Sequence, residues 1–218
     1  SSHLRDCRGC IAGLLEGPER PEHVLVECSG VSDPGRLLVA LRDAHLRVAA
    51  RVDGVVTLVD AAAFDELPPQ ALELARRQLA TADVIVLNKA DLVSTEELER
   101  LRDRIMFPGA RFVDAAYADV PLDVVLGIGG PRVNGEGEHA ADAHTAAFTT
   151  WTWTAVEPLR YHAVRDALAS LPTSVFRAKG FLHLTEEPER QVVAHVVGRR
   201  VELRPLGRWN GATPMTEL

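Results

Sequence analysis

Three short runs of apolar, mostly β-branched residues constrain the fold of this chain more than any other feature. They lie at residues 23–26 (HVLV), 52–60 (VDGVVTLVD) and 83–87 (DVIVL), and none of them alternates with polar residues. Strands that are covered on both faces have this pattern, so the runs predict a parallel sheet. A further run at 110–115 (ARFVDA) predicts a fourth strand.

Helical patterns separate these runs. The segments 33–46, 68–80 and 94–105 carry leucines at helical spacing, and the last of them opens with a capping box formed by Ser94 and Glu97. Strands that alternate with helices are typical of an α/β fold. The sequence therefore predicts a doubly wound, mostly parallel sheet.

The amino-acid composition of the chain changes near residue 127. Residues 128–147 are rich in Gly, Ala and acidic residues without periodicity, which predicts a linker between a domain at 1–127 and a second one at 148–218. The second segment contains one helical pattern and several strand patterns, and it predicts a small α+β domain with an antiparallel sheet. Trp151 and Trp153 share one face of a predicted strand, and we expect them in the core of this domain.

Composition excludes several classes of partner. The chain has 218 residues and a formal net charge of −7 without a basic stripe, which argues against a nucleic-acid partner. Since no run approaches the roughly 18 apolar residues that span a bilayer, we expect no membrane segment. Three cysteines do not suggest a disulfide framework, and together with the lack of a signal-peptide core they predict a cytoplasmic protein.

The first candidate site follows the run at 23–26. Ligands of open α/β sheets bind beyond the carboxyl ends of the strands, and this run delivers Glu27 and then Gly30. A carboxylate there can hold hydrated Mg²⁺, and a glycine lets a backbone N–H approach a terminal phosphate closely. A solvated glutamate beside a turn glycine is the alternative interpretation.

The second candidate site follows the run at 83–87. Asn88, Lys89 and Asp91 stand together there, and an aspartate can accept two N–H donors from the edge of a guanine. The asparagine can fix the loop, and the lysine stem can lie against the flat base. A polar strand-to-helix turn is the alternative.

Four segments together resemble a known family. VLVECSGVSDP, VDGVVTLVDA, QLATADVIVLNKADLV and FRAKGFLHL occur in the order seen in the CobW-like GTPases, a metallochaperone branch of the P-loop GTPases. The resemblance implies that Glu27 and Gly30 belong to the Walker B and switch II motif. It also implies that Asn88, Lys89 and Asp91 form the motif that recognises the guanine base.

The resemblance implies a function as well. Members of the family bind GTP and Mg²⁺, hydrolyse GTP, and deliver a metal ion to a client metalloprotein, so the resemblance implies the same activity here with a zinc-class or cobalt-class ion. The resemblance is also compatible with a homo-oligomer. A truncated or degenerate relative that only binds a partner is the first alternative. A P-loop kinase or ATPase of similar topology is the second.

Two motifs of the family are missing or altered. No G-x-x-x-x-G-K-[S/T] segment occurs in the sequence, so we expect that the chain begins after it and does not hydrolyse GTP alone. The family's Asn-Pro-x-Ala segment, which we expect near the base pocket, has Phe107 in place of its asparagine.

The metal motif of the family, Cys-x-Cys-Cys, can be aligned in two registers. In one, Cys7 and Cys10 are its remnant and are candidate zinc ligands. In the other, the last two cysteines of the motif fall at Ser1 and Ser2, and Cys7 is a small core residue of an apolar helical stripe. A structural zinc site normally has four ligands, which favours the second register.

Overall fold

A computed structural model describes residues 2–30, 32, 34–41, 46, 49–126 and 149–218. The helices of the described residues are α1 (Ser2–Glu16), α2 (Pro34–Ala40), α3 (Pro69–Thr81), α4 (Thr95–Ile105), α5 (Leu122–Leu126) and α6 (Tyr161–Ala169). The strands are β1 (Val56–Asp60), β2 (Val84–Asn88), β3 (Phe112–Ala115), β4 (Thr154–Ala155), β5 (Arg177–His183), β6 (Arg190–Val197), β7 (Arg200–Arg208) and β8 (Thr216–Glu217).

The first sheet is parallel and has the strand order β1-β2-β3. Helices α3 and α4 cover one of its faces, where Leu79 and Leu101 belong to the same core as Ile85 of β2. Helix α5 covers the other face, since its Val124 packs with Val84. Burial on both faces explains the uninterrupted apolar run of β2 and confirms the predicted doubly wound α/β architecture.

The start of α4 fixes the loop that precedes it. The Ser94 side chain accepts a hydrogen bond from the backbone N–H of Glu97, and the Glu97 carboxylate accepts one at 2.8 Å from the backbone N–H of Ser94. The predicted capping box is therefore present. Such a cap stabilises a helix by about 1 kcal/mol, and here it holds the end of the segment that carries Asp91.

The strand predicted at residues 23–26 is wrong. Residues 23–26 belong to no strand of the described residues, and the side chain of Leu25 is 82% exposed. An apolar run becomes a strand only when a neighbouring strand receives its backbone hydrogen bonds. In the described part of the chain, β1 pairs only with β2, so residues 23–26 have no such neighbour.

The second sheet is antiparallel, with the order β4-β8-β5-β6-β7. Alternate residues of β6, among them Val192, Ala194 and Val196, form one core with Val164 and Leu168 of α6. One helix on one face of an antiparallel sheet is the α+β unit that the sequence predicts. The predicted linker, 128–147, lies outside the described residues.

The predicted core position of two tryptophans is wrong. Trp151 is 66% exposed and Trp153 is 44% exposed, whereas Trp209 is buried. Only a two-residue edge strand, β4, follows Trp153, and α6 packs on the sheet through other residues. Both tryptophans precede this short strand at the edge of the sheet and are not part of the core.

A charged cluster joins the two sheets. Arg177 of β5 donates to Asp53 at 2.9 Å and to the carbonyl oxygens of Val124 and Val125 at 3.0 and 2.7 Å. His195 Nε2 lies 2.5 Å from the same carboxylate, but the ring is not aligned for a hydrogen bond. Burial opposes ionisation of Asp53, and His195 and Arg177 together outweigh it, which holds the pKa of Asp53 well below its usual range.

The lowered pKa of Asp53 predicts a pH-dependent stability. A depressed folded-state pKa stabilises the fold above the unfolded pKa of about 3.9 and loses that contribution as the pH falls. We expect Asp53→Asn to lower the free energy of unfolding by about 2 kcal/mol at pH 7 and by less at pH 3. Urea denaturation at both pH values measures this difference, with exposed Asp103→Asn as the control. An equal loss at the two pH values would contradict the role of the ionised carboxylate.

Over the described residues, none of the helices combines the length and the apolar character that crossing a membrane requires.

Candidate functional site

The carboxyl ends of the three parallel strands meet at one edge of the first sheet. Asp60 ends β1, Asn88 ends β2 and Ala115 ends β3, and the strand register sets Asp60 beside Asn88 and Asn88 beside Ala115. Ala61 N–H donates to the carbonyl oxygen of Asn88 at 2.9 Å, so the chain leaving β1 stays attached to β2. This edge is where open α/β sheets bind their ligands.

The side chain of Lys89 reaches from the end of β2 to Asp60 at the end of β1. Its backbone is left-handed, with a φ of 61°, and its Nζ lies 2.5 Å from Asp60 Oδ2. The other carboxylate oxygen of Asp60 accepts from the backbone N–H groups of Ala62 and Ala63 at 3.1 and 3.2 Å. The hydrogen bond from Lys89 is the main reason why the pKa of Asp60 is lowered.

Asn88 holds a second loop. Its Oδ1 accepts a hydrogen bond at 2.8 Å from the backbone N–H of Ala118, in the loop that follows β3. Tyr117 and Ala118 have positive φ values of 54° and 58°, an unfavoured conformation for residues with a Cβ that a specific contact can maintain. The Tyr117 side chain is 92% exposed beside this loop.

Asp91 is the free carboxylate of the site. It lies in a 3-10 turn, Ala90–Leu92, and its side chain is exposed. Within the described residues its carboxylate makes neither a hydrogen bond nor an ion pair, in contrast to that of Asp60. Its two oxygens can therefore accept two donors from a ligand at this edge.

Glu27 and Gly30 lie on the chain that precedes α2. Glu27 is exposed and does not end a strand, because the predicted strand is absent. Gly30 lies in a turn that is closed by a hydrogen bond of 2.8 Å from Ser32 N–H to Ser29 O. Among the described residues, no hydrogen bond or ion pair joins either of them to Asn88, Lys89 or Asp91.

The two cysteines predicted as metal ligands lie in α1. Helical geometry sets Cys7 and Cys10 one turn apart, Cys10 is exposed, and the side chain of Cys7 is outside the described set. Ile11 and Leu15 of the same helix are buried against Leu46. No three His, Cys, Asp or Glu side chains converge on a common point in the part of the chain that is described.

The expected position of Phe107 near the base is wrong. Helix α4 runs from the carboxyl edge of the sheet back to the amino edge, so Phe107 lies just before β3 at the opposite end from Asn88. There the Arg199 guanidinium lies 4.8 Å from the centroid of its ring. The substitution at this position therefore concerns the contact with the second sheet.

Sequence reasoning did not identify Asp60 or Ala118 as parts of the site. Asp60 ends a β-branched run just as Asn88 does, so the same signal was available for it. The backbone N–H of Ala118 has no sequence signal, since any residue other than proline supplies one.

Two family models match the chain. Residues 4–109 match the model described as CobW/HypB/UreG, nucleotide-binding domain, and residues 148–218 match the one described as cobalamin synthesis protein cobW C-terminal domain. Together the two ranges cover most of the chain, and they agree with the predicted resemblance.

Curated relatives carry related names. The chain is 29% identical over 227 residues to "Zinc chaperone CobW" of Sinorhizobium sp, an alignment that covers 87% of this chain and 63% of that protein. It is 29% identical over 226 residues to the protein of the same name from Pseudomonas aeruginosa, with coverages of 86% and 59%. The chain thus spans about three fifths of the length of these relatives.

Two further similarities are more limited. "Zinc-regulated GTPase metalloprotein activator 1" of Schizosaccharomyces pombe is 31% identical over 94 residues, which cover 43% of this chain and 23% of that protein. The solved structure described as Zn(II)-bound YjiA GTPase from E. coli aligns with a TM-score of 0.47 and 22% identity, over 95% of this chain and 69% of that one. From the two family models, which follow one another along the sequence, we conclude that the chain belongs to the CobW family.

Proposed function

We propose that this protein binds GTP with Mg²⁺, hydrolyses GTP in its full-length form, and uses the nucleotide state to control delivery of a zinc ion to a client metalloprotein. The observation that carries the proposal is the carboxyl edge of the first sheet. There Asn88 and Lys89 are engaged in holding loops, while Asp91 keeps both carboxylate oxygens open. The names of the curated relatives support the metal and the nucleotide class.

The guanine contact follows from this division of roles. A carboxylate that accepts two N–H donors from one base edge favours guanine, because adenine offers no matching pair of donors there. Asn88 keeps the 116–118 loop beside the base, and the half-exposed stem of Lys89 can lie against its flat face while Nζ stays on Asp60.

Glu27 and Gly30 act at the phosphate end of the nucleotide in this proposal. Glu27 has an exposed carboxylate, which suits a water-coordinated Mg²⁺. Gly30 has no heavy atom within 4 Å of the place where a Cβ would be, so its backbone is accessible to a phosphate oxygen. Bound Mg²⁺ would neutralise the charge that develops on the phosphates.

Zinc is the cargo in this proposal. The exposed thiol of Cys10 could supply one zinc ligand, and Cys7 lies one helical turn before it. Two thiolates leave a zinc site incomplete, so further ligands would have to come from the client or from elsewhere in the protein. An incomplete site is compatible with a metal that is passed on, because a closed site releases zinc slowly.

Asp91→Asn tests the guanine assignment. The amide presents a donor where the base also presents donors, and we expect the variant to weaken GTP binding by about 1.5 to 3 kcal/mol, the scale of a hydrogen bond to a charged group. Calorimetry with Mg²⁺-GTP and Mg²⁺-ATP on the full-length protein measures the change. We expect GTP affinity to fall and ATP affinity to stay low.

Asp103→Asn is the matched control, since it removes the same charge from an exposed position on α4. It should leave both affinities unchanged. Equal affinity of the parent protein for GTP and ATP would remove the basis for assigning guanine recognition to Asp91. A parent that binds neither nucleotide would instead favour the alternative of a non-catalytic partner-binding relative.

A further inference from the structure

Gln78 connects α3 to a distant turn of the chain. Its side-chain Nε2 donates to the carbonyl oxygens of Gly30 and Ser32 at 3.1 and 3.0 Å, across 48 and 46 residues of sequence. A primary amide has two N–H donors, so both are engaged by this one turn. The bridge thus fixes two peptide groups with a single side chain.

The turn is also closed by contacts between its own residues. Ser32 N–H donates to Ser29 O at 2.8 Å, and the two serine hydroxyls lie 2.7 Å apart. These contacts join Ser29 and Ser32 to each other. The two hydrogen bonds from Gln78 attach Gly30 and Ser32 to helix α3.

The backbone of Gln78 is anchored on the other side. Its carbonyl oxygen accepts from Thr81 Oγ1 at 2.8 Å and lies 3.4 Å from Thr57 Oγ1 on β1. Helix α3 ends at Thr81, three residues before β2, and β2 leads directly to Asn88. Gln78 therefore stands between the Ser29–Ser32 turn and the two strands that carry Asp60 and Asn88.

We propose that Gln78 is a positioning residue that holds the Gly30 peptide against α3 and so sets how readily the Ser29–Ser32 turn moves. One hydrogen bond holds the carbonyl group of Gly30, and the other holds the carbonyl group of Ser32. A ligand that draws the Gly30 N–H towards itself must either keep this bridge or break it.

The link to nucleotide chemistry rests on the proposed function. If Gly30 meets the terminal phosphate, Gln78 controls the free-energy difference between the attached and released turn. Both the bridge and the phosphate then act on the same short segment. Loss of the Gln78 side-chain amide is therefore expected to change turnover, which depends on the position of this segment, more than affinity for the base.

Amide hydrogen exchange tests the positioning role without any nucleotide. Gln78→Met keeps the length and helix propensity of the side chain and removes both donors. We expect the peptide that covers residues 28–41 to exchange about tenfold faster in this variant, because two hydrogen bonds to the turn are lost. Gln70→Met is the matched control: the same change in the same helix at an exposed position. Equal exchange in the two variants would overturn the proposal.

Kinetics on the full-length protein test the consequence. We expect Gln78→Met to change kcat for GTP hydrolysis about tenfold while the KM and the affinity for GDP stay within about twofold. Gln78→Arg, which restores N–H donors, should recover part of the parental kcat and of the slow exchange. A parallel loss of GDP affinity would overturn the positioning role. If the parent does not hydrolyse GTP, the proposed function fails, and the exchange experiment still decides on the bridge.

Discussion

Gly180→Ala is expected to lower the free energy of unfolding of the second sheet by about 3 kcal/mol. Gly180 faces the chain end at β8, where an added Cβ would overlap the carbonyl oxygen of Glu217 and crowd Leu218. The obstructing atoms are backbone atoms, which cannot rotate aside as a long side chain can. The pairing of Phe181 with Glu217 would therefore have to open.

The loss would extend beyond one pair of residues. Thr216 of β8 is fully buried and accepts from His183 N–H at 3.0 Å, and Leu218 exchanges two backbone hydrogen bonds with Trp153. Displacing this strand exposes all of these groups at once. Urea denaturation followed by tryptophan fluorescence measures the effect, since the buried Trp209 lies in this sheet region.

Gly207→Ala is the matched control for this prediction. Gly207 lies on β7 of the same sheet, and no heavy atom stands within 4 Å of its added Cβ. Alanine there should be neutral or slightly stabilising, because glycine loses more backbone freedom on folding. Similar stability of the two variants would contradict the close approach of β8 to β5.

The elements that could be predicted from sequence are those whose signal is local. The run that became β2 is buried on both faces, so its apolar character alone identified it. The capping box at Ser94 is a contact between residues three apart, and it was read directly from the sequence. Helix α5 and strand β8 were missed because five and two residues are too short for a periodic pattern.

What the sequence could not supply depends on contacts between distant residues. Residues 23–26 resemble β2 in composition but have no neighbouring strand among the described residues, and pairing is not a property of the run itself. The bond of Lys89 to Asp60 spans 29 residues, and that of Asn88 to Ala118 spans 30. The sequence thus located the strand end that bears Asp91, but the partners of its neighbours required the fold.

Arg177 is the residue whose loss we expect to uncouple the two sheets. Its side chain is 12% exposed and makes three hydrogen bonds to the first sheet unit, one to Asp53 and two to the last carbonyl groups of α5. A cation at a helix carboxyl end also interacts favourably with the helix dipole. Without it, the partners of Asp53 among the described residues are the poorly aligned His195 and the more distant Arg51, and two carbonyl oxygens lose a donor.

Arg177→Met keeps most of the apolar stem and removes the guanidinium, and we expect it to lower the free energy of unfolding by about 3 kcal/mol. Arg208→Met is the control, because Arg208 is 75% exposed and its ion pair with Glu189 at 3.6 Å should contribute less than about 1 kcal/mol. A double-mutant cycle with Asp53→Asn isolates the ion pair, since the second substitution should cost much less once Arg177 is absent. Additive losses would show that the two side chains do not interact, and the charged cluster would then not be what joins the sheets.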